Sequence, residues 1–587
     1  MSTHKTICGL FSLLLLLTPA LIAAEESIPP PQGMGPRGQL QSLSLETGRT
    51  MQGAFILDGP DATQQLLVTG HFSSGQEHDL TREVAYESIP AGIVSITSTG
   101  LVQPLADGSA TITVKSKDGL NASVNVAVTR CREELPLNFE RHVQPILTKF
   151  SCNSGACHGK AGGQNGFALS LLAFEMQDDY HRLASEGRGR RVFPAMPDRS
   201  LLLLKPIGKV PHGGGTRIPV DSAGYRILRR WITQGMPFGK KDDSQVVGID
   251  VYPALRMMPH NVEQQLVVVA RYADGTTEDV TGMTQYDSNT KELAQVSGTG
   301  LVTTLNYTGS ASVMVRYQGH VATFRAPIPL GAPVLNLPKP RNFIDELVFR
   351  QLKSIGLPPS EISSDAMFIR RVTLDIAGRL PTLEETEQFL ASTDPEKRNQ
   401  WIDTLLSKTE YADYFTRKWV MLLRSRVDQT SQVRGSIALQ QWIREALYHN
   451  RPYSEFVTEL LTASGDLEDN PLVNWWRNIK EPSDQVENTA QIFLGLRLAC
   501  ARCHHHPYER WGQADYYGLA GFFTRLGRKS FGEPPPYFAS PKVTTGEKNP
   551  LTGKTPEPKF LDGSEPKFSE EEDPRHALVD WMAKPDN

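Results

Sequence analysis

The alternation of apolar and polar residues predicts two β-rich stretches that repeat each other. Gln64-Gln65-Leu66 recurs 200 positions later as Gln264-Gln265-Leu266. Within the copies, Val or Ile alternates with Thr, Ser or Met, as at 111–114 and 312–315, and Gly and Asp interrupt the short apolar runs. A period of two is typical of strands with one buried face. The sequence therefore predicts a duplicated unit, each copy being a small sandwich.

A helical period replaces this pattern in two other parts of the chain. Between the copies, Ile227, Leu228, Trp231 and Ile232 fall on one face of a predicted helix. After the second copy, Ile344, Leu347 and Val348 share a helical face. The chain has 587 residues, which is too many for one core. We therefore predict a multidomain fold: two all-β sandwiches, a small α-helical domain between them, and a C-terminal mostly α-helical domain.

Changes in pattern and composition give the domain boundaries. A secretory signal is predicted at 1–24, where Lys5 precedes an apolar run and small residues follow it; a membrane anchor is the alternative. No later segment is apolar enough to span a membrane. The remaining predicted segments are β domains at 38–131 and 248–331, the small helical domain at 135–240, the larger helical domain at 335–540, and a linker with the start of a possibly truncated further domain at 541–587.

The charge balance argues against nucleic acid as the main partner. Lys and Arg number 61 and Asp and Glu number 65, so the formal net charge is -4. Arg188, Arg190 and Arg191 form a basic cluster, which is either a solvated loop or a guide for an acidic partner or for haem propionates. The sequence contains no P-loop and no dinucleotide fingerprint. These features favour an exported protein whose chemistry depends on its few cysteines.

Two cysteine motifs carry that chemistry. Cys152 and Cys157 are followed directly by His158, with four residues between the thiols. Cys500 and Cys503 are followed by His504, which is the usual spacing for covalent haem attachment. In such a site two thiols bond to the haem and the adjacent His is the proximal ligand. For the first motif a disulfide or half of a zinc site remains open. For the second, zinc bound by Cys500, Cys503, His504 and His506 remains open, as does a redox dithiol.

Three family resemblances follow from these segments. The endings at 108–114 and 309–315 resemble bacterial immunoglobulin-like domains of group 2, which implies two immunoglobulin-like sandwiches that either contact carbohydrate or act as spacers. The strings at 143–147, 200–206 and 211–215, around the first motif, resemble the planctomycete-type cytochrome c domain of exported proteins. The strings at 368–375, 378–382, 450–453 and 500–511 resemble a second planctomycete cytochrome-associated domain, whose function is unassigned.

The cytochrome resemblance bears on the second axial ligand. Relatives often carry a Met-Pro-Pro segment ahead of the closing helix, whereas this chain has Val210-Pro211-His212. His212 is therefore the first candidate for the distal ligand at the first motif, and a turn histidine is the alternative. Met176 and Met196 are weaker candidates. For the second motif we name only His449 as a possible distal ligand.

The sequence thus predicts an exported, periplasmic or cell-surface c-type cytochrome-like protein. It would bind two haem c groups through Cys152, Cys157, Cys500 and Cys503, with His158, His504 and His212 on iron, and transfer electrons to an unidentified redox partner. The alternative is a cell-envelope binding protein whose β domains contact polysaccharide or protein and whose cysteine sites hold zinc or disulfides. An oxidative enzyme with an open haem is a third hypothesis.

Overall fold

A computed structural model describes residues 33–585 apart from 51–52, 161, 241, 336, 426–432, 507–508, 530–536, 541, 545–547 and 551. The predicted signal peptide at 1–24 lies outside the described residues. In the part of the chain that is described, no helix is both long and apolar enough to cross a membrane.

The first β unit is a two-layered sandwich with a short third sheet. One sheet has the order β1-β4-β5, the opposite sheet β2-β10-β9-β6, and the short sheet β3-β8-β7. Val114 and Ile112 point into the buried core, as their alternation with threonines predicts. The strands are β1 (Leu40–Glu46), β2 (Ala54–Asp58), β3 (Gln64–Gln65), β4 (Leu67–Phe72), β5 (Glu77–Asp79), β6 (Ala85–Ile89), β7 (Val94–Ile96), β8 (Leu101–Pro104), β9 (Gly108–Lys115) and β10 (Asn121–Thr129).

The second β unit repeats this arrangement, with sheet orders β11-β13-β14, β12-β17-β16 and β15-β18-β19. The counterpart of β2 is reduced to a single parallel bridge between Leu255 and Arg325. Nine strands therefore correspond one to one in the two units. The strands are β11 (Val246–Tyr252), β12 (Glu263–Gln265), β13 (Val267–Tyr272), β14 (Thr277–Asp279), β15 (Gln285–Ser288), β16 (Ala294–Val296), β17 (Leu301–Thr304), β18 (Gly309–Tyr317) and β19 (His320–Ile328).

The two β units pack on each other through equivalent residues. Asp279 accepts a hydrogen bond from the backbone N–H of Gln65, and Asp79 accepts one from the N–H of Gln265. Leu67 and its counterpart Val267 are both fully buried in one small apolar cluster. Burial raises the pKa of both carboxyl groups. The duplicated sequence therefore forms a pseudo-twofold pair inside one chain, with the same aspartate serving the same contact on each side.

Replacing Asp279 with Ala is expected to destabilise this pair by about 2–4 kcal/mol. The carboxylate accepts from the N–H of Gln65 and, at 2.7 Å, from the N–H of Thr281, and the variant leaves both donors buried without that acceptor. Asp250→Ala is the control, because it removes a half-exposed surface pair with Arg271. Urea unfolding measures both variants, and equal effects would contradict the interface described here.

Helices occupy the segment between the β units. A π-helical turn over Phe139–Val143 leads into α1, and Phe139 packs 5.6 Å from the ring of the fully buried Trp231. The predicted face of Ile227, Leu228, Trp231 and Ile232 is buried as expected. The helices are α1 (Gln144–Lys149), α2 (Met176–Ala184), α3 (Leu201–Leu204) and α4 (Ala223–Thr233), with 3-10 turns at Leu171–Ala173, Glu186–Gly189 and Pro197–Arg199. This small helical core supports the first cysteine motif.

The C-terminal region is mostly helical, as predicted. Its core joins aromatic and aliphatic side chains of the later helices around the fully buried Trp475 and Trp476. Its elements are α5 (Phe343–Ile355), α6 (Asp365–Ala377), α7 (Leu383–Ala391), α8 (Lys397–Ser407), α9 (Thr409–Leu422), α10 (Val433–Tyr448), α11 (Tyr453–Leu461), α12 (Val473–Asn478), α13 (Pro482–Phe493), a 3-10 turn at Leu498–Arg502, α14 (Gln513–Gly521), β20 (Leu526–Arg528), β21 (Tyr537–Ala539) and α15 (Pro574–Met582).

The tail packs into this same core, which differs from the predicted break at residue 540. Phe560, Leu578 and Trp581 are buried in the cluster that contains Trp475 and Trp476. Arg575 is 1% exposed and donates to the carbonyls of Leu461 and Ala463. The charged and Pro-rich composition of the tail predicted a solvated linker. In the structure, a few large apolar residues along the tail are buried in the helical core and hold the tail against it.

Candidate functional site

The first cysteine motif is a compact loop closed by backbone hydrogen bonds. The N–H of Cys152 donates to the carbonyl of Leu147 at the end of α1, and the N–H of His158 donates to the carbonyl of Cys152 at 3.0 Å. A Cβ at Gly159 would collide with the carbonyl oxygen of Asn153. The residue after the histidine must therefore be glycine for the four-residue gap to close in this way.

His158 is oriented by Phe167. Its Nδ1 lies 2.9 Å from the carbonyl oxygen of Phe167, and its ring centroid lies 4.5 Å from the phenyl ring. Nδ1 is the nitrogen that donates in this bond, so Nε2 carries the free lone pair. Burial lowers the pKa of His158, with smaller effects from His212 and Arg191. A neutral imidazole with its second nitrogen bonded to a carbonyl is the usual form of a metal-ligating histidine.

His212 lies beside His158 in the structure. The two ring centroids are 6.4 Å apart and the ring planes differ by 11°. Nδ1 of His212 lies 2.9 Å from the carbonyl oxygen of Gly215, which again leaves the lone pair of Nε2 free. A Cβ at Gly214 would lie 3.0 Å from Cε1 of His212, so the glycine gives the ring its space. The chain therefore pairs two imidazoles that share one hydrogen-bond pattern.

The thiols of this motif are reduced and partly covered. Burial raises the pKa of the Cys152 thiol to about 12, and the neighbouring Cys157 adds to the rise. Cys157 is half-buried. Cys131, Cys152, Cys157, Cys500 and Cys503, which are the five cysteines of the described chain, are all free thiols. The disulfide predicted as an alternative for the first motif is therefore not formed in this structure.

Basic side chains hold the loops that carry both imidazoles. Arg191 lies over the Phe167 ring at 4.5 Å and donates to the carbonyl of Gly166. Lys205 donates to the carbonyl of Pro211, and Arg217 donates to the carbonyl of Gly214. Arg191, one residue of the predicted basic cluster, thus holds Phe167, whose carbonyl bonds His158. The sequence motifs did not indicate a role for Phe167 or Arg217.

The remaining candidates for a distal ligand have other surroundings. Met196 is 53% exposed, and Met176 is the first residue of α2. His449 is 69% exposed and pairs with Glu445 on α10. Of all the distal-ligand candidates named from the sequence, His212 is the one that lies beside His158. His449, the candidate named for the second motif, instead pairs with Glu445.

The second motif begins on the 3-10 turn at Leu498–Arg502, which contains Cys500, and Cys503 and His504 follow the turn directly. Cys500 and Cys503 are exposed, and Nδ1 of His504 lies 2.7 Å from the carbonyl oxygen of His505, which leaves Nε2 free to ligate. His506 is 7% exposed. Within the described ranges, no three His, Cys, Asp or Glu side chains are grouped so that they could hold a metal ion. The four-ligand zinc set considered from the sequence is therefore not assembled here.

His505 joins the second motif to the rest of the chain. Its ring lies edge-on to the Phe174 ring, with the centroids 5.8 Å apart. Phe174 directly follows the 3-10 turn at Leu171–Ala173. In that turn the N–H of Leu172 donates to the carbonyl of Asn153, which belongs to the first motif. The carbonyl of His506 accepts a hydrogen bond from Arg316 of β18. The two cysteine motifs, 343 residues apart in sequence, therefore belong to segments that touch each other.

Comparisons with known proteins identify two of the domains. A model described as PSCyt2, "Protein of unknown function (DUF1549)", matches residues 343–528. A model described as "Bacterial Ig-like domain (group 2)" matches residues 59–126. These matches indicate an exported multidomain protein. Neither covers 135–240, so the cytochrome assignment of that segment stays a prediction.

The similar solved structures include fragments of the S-layer protein SbsC. The rSbsC(31-844) structure is 11% identical over 56% of this chain and 33% of its own, with a TM-score of 0.14. Domains 5-6 are 12% identical over 49% of this chain and 98% of their own, with a TM-score of 0.20. The chain spans about a third of the longer protein, and the TM-scores are too low to support an argument. No curated protein matches the chain.

Proposed function

We propose that this chain is an exported c-type cytochrome-like protein that transfers electrons through a haem bonded to Cys152 and Cys157 and ligated by His158 and His212. The observation that carries the proposal is the pair of nearly parallel imidazoles 6.4 Å apart. In each imidazole Nδ1 is bonded to a carbonyl, which leaves Nε2 available. His158 and His212 could therefore hold the iron of a haem bonded to Cys152 and Cys157.

The residues of the chain supply attachment, orientation and burial. Each thiol would add its sulfur to one carbon and its hydrogen to the other carbon of a haem vinyl group, so attachment needs no oxidant. The high pKa of Cys152 keeps that thiol protonated until then. Phe167 and Gly215 fix the two imidazoles through their carbonyls. Haem supplies one-electron redox chemistry when bound, and two imidazole ligands set a lower potential than a His/Met pair.

A second haem at Cys500 and Cys503, with His504 as proximal ligand, is part of the same proposal. The spacing of the motif and the free Nε2 of His504 support it. No distal ligand is assigned, so this site would be open or filled by a weaker ligand.

The experiment is a reduced-minus-oxidised spectrum of the full chain expressed with haem-attachment machinery, together with Cys152→Ser/Cys157→Ser and Cys500→Ser/Cys503→Ser variants. We expect a c-type spectrum that survives denaturation, and each double variant should lose about half of the covalent haem. Colourless wild-type protein, from a host that loads a control cytochrome fully, would overturn the proposal.

Gly214→Ala is expected to loosen the sixth ligand. The new Cβ would lie 3.0 Å from Cε1 of His212, so the ring must shift by a few tenths of an ångström from its place in the structure. The visible spectrum of the oxidised protein should then show a high-spin fraction. Gly213→Ala is the matched control, because a Cβ there meets nothing within 4 Å. Fully low-spin spectra for both variants would contradict the expected loosening of the His212 ligand.

Cell-envelope binding through the β units is a second candidate function. The match to bacterial immunoglobulin-like domains supports it, and it is compatible with a haem-bearing chain whose β units position the redox sites. Binding of the full chain to arrayed envelope polysaccharides tests it. Retention of a defined polysaccharide would support this function, and no binding above that of an unrelated exported protein would contradict it.

A further inference from the structure

The C-terminal helical region contains a cleft that the haem proposal does not use. Its volume is about 790 Å³, within the range of small-molecule sites. The start of α13, the 3-10 turn of the second motif and the β20–β21 hairpin form its walls. The cleft lies beside the second motif, but neither Cys500 nor Cys503 lines it.

Positive charge predominates in this cleft. Of the described residues that line it, Lys480, Arg502 and Arg528 are basic and one, Glu481, is acidic. The amino-terminal end of α13, a helix of twelve residues, also opens onto the cleft, and no side chain in the described chain caps it. A helix N-terminus and guanidinium groups both favour an oxyanion.

Gln485 gives the second and independent indication of a ligand. It lines the cleft and is only 3% exposed, yet its Oε1 has no hydrogen-bond partner among the residues that the structure describes. A buried acceptor without a donor costs free energy, so a ligand that supplies an O–H or N–H would satisfy it. A bare inorganic anion such as sulfate cannot do so.

We propose that this cleft binds a hydroxylated organic oxyanion, such as a sugar carboxylate or sugar phosphate. The oxyanion would lie between Lys480, Arg502 and Arg528, and a ligand hydroxyl would donate to Oε1 of Gln485. The proposal does not depend on haem at either motif.

Isothermal titration of the full chain with glucuronate, glucose 6-phosphate, glucose and sulfate tests it. We expect one or both sugar anions to bind and glucose not to bind. Sulfate should bind at least about tenfold more weakly than the better sugar anion, because sulfate lacks the hydroxyl donor.

The Lys480→Ala/Arg528→Ala variant should bind the sugar anion at least about tenfold more weakly, because two charge-assisted contacts are lost. Gln485→Leu should remove the preference over sulfate. Lys554→Ala, an exposed lysine outside the cleft, should change nothing.

The outcomes separate this proposal from the haem proposal. Titrations are made on chain expressed with and without haem-attachment machinery, and binding should be the same in both preparations. Equal binding of sulfate and sugar anions, no effect of the double charge variant, or loss of binding when haem is attached would each overturn it. None of these results bears on whether Cys152 and Cys157 carry haem.

Discussion

Replacing His212 with Met is expected to raise the midpoint potential of the haem proposed at Cys152 and Cys157 by on the order of 0.1 V, within the range of about 0.8 V that axial ligands span. A thioether ligand stabilises the reduced iron relative to an imidazole. His212→Ala should instead leave the sixth position without a protein ligand and convert the oxidised haem to a high-spin form. Spectroelectrochemical titration measures the potential, and electron paramagnetic resonance measures the spin state.

His181→Ala is the matched control for these variants. His181 is an exposed histidine of α2 in the same segment, so its loss should move neither the potential nor the spin state. A His212→Met protein with unchanged potential and a low-spin spectrum would show that another residue occupies the sixth position. The pairing of His158 and His212 would then have only a structural role.

Arg575→Ala is expected to lower the free energy of unfolding of the C-terminal region by about 3–5 kcal/mol. The guanidinium is 1% exposed, pairs with Asp573 at 2.6 Å and lies 5.4 Å from the centroid of the Trp476 ring. Its loss would remove the guanidinium donor from the Asp573 carboxylate and from the carbonyls of Leu461 and Ala463, of which Ala463 keeps the indole N–H of Trp476. Breaking a buried ion pair costs about this much free energy. Urea unfolding followed by tryptophan fluorescence measures it.

Amide hydrogen exchange locates the effect. Faster exchange is expected in α15 and α11 and not in the β units. Lys584→Ala, an exposed residue near the same end of the chain, should change neither measurement. If Arg575→Ala behaves like Lys584→Ala, the tail is not an integral part of the helical core.

Local pattern predicted the elements well. The period-two alternation located β9 and β18, and the apolar face of α4 is buried as expected. The duplication predicted two units with the same strand order. These features depend on neighbouring residues and on which side chains avoid water, and a sequence carries both kinds of information directly.

Long-range packing could not be predicted in the same way. The apolar face of α5 predicted burial, but Ile344, Leu347 and Val348 are 55%, 53% and 46% exposed. The opposite error concerns the tail, whose polar composition hid the buried Arg575 and Trp581. Which face meets which neighbour depends on contacts between residues far apart in sequence, and a periodicity in one segment does not specify its partner.

In the candidate site, too, the residues of a local motif were predicted and the residues brought in by packing were not. Cys152, Cys157 and His158 follow from one local motif, and His212 was named from the missing Met of the cytochrome resemblance. The structure then places His212 beside His158. The roles of Phe167, Arg191 and Gly159 were not predicted. Phe167 supplies a carbonyl, Arg191, which was named only as part of the basic cluster, contacts the Phe167 ring, and Gly159 leaves space where a Cβ would collide. The spacing of residues in the sequence does not indicate such roles.

Intact and peptide mass spectrometry of the exported protein shows whether haem is bonded to the first cysteine motif. We expect the peptide containing Cys152 and Cys157 to carry one haem mass through both sulfurs, and this mass should remain after denaturation and reduction. An unmodified peptide, with both thiols free or joined to each other while a control cytochrome from the same cells is fully loaded, would contradict this expectation.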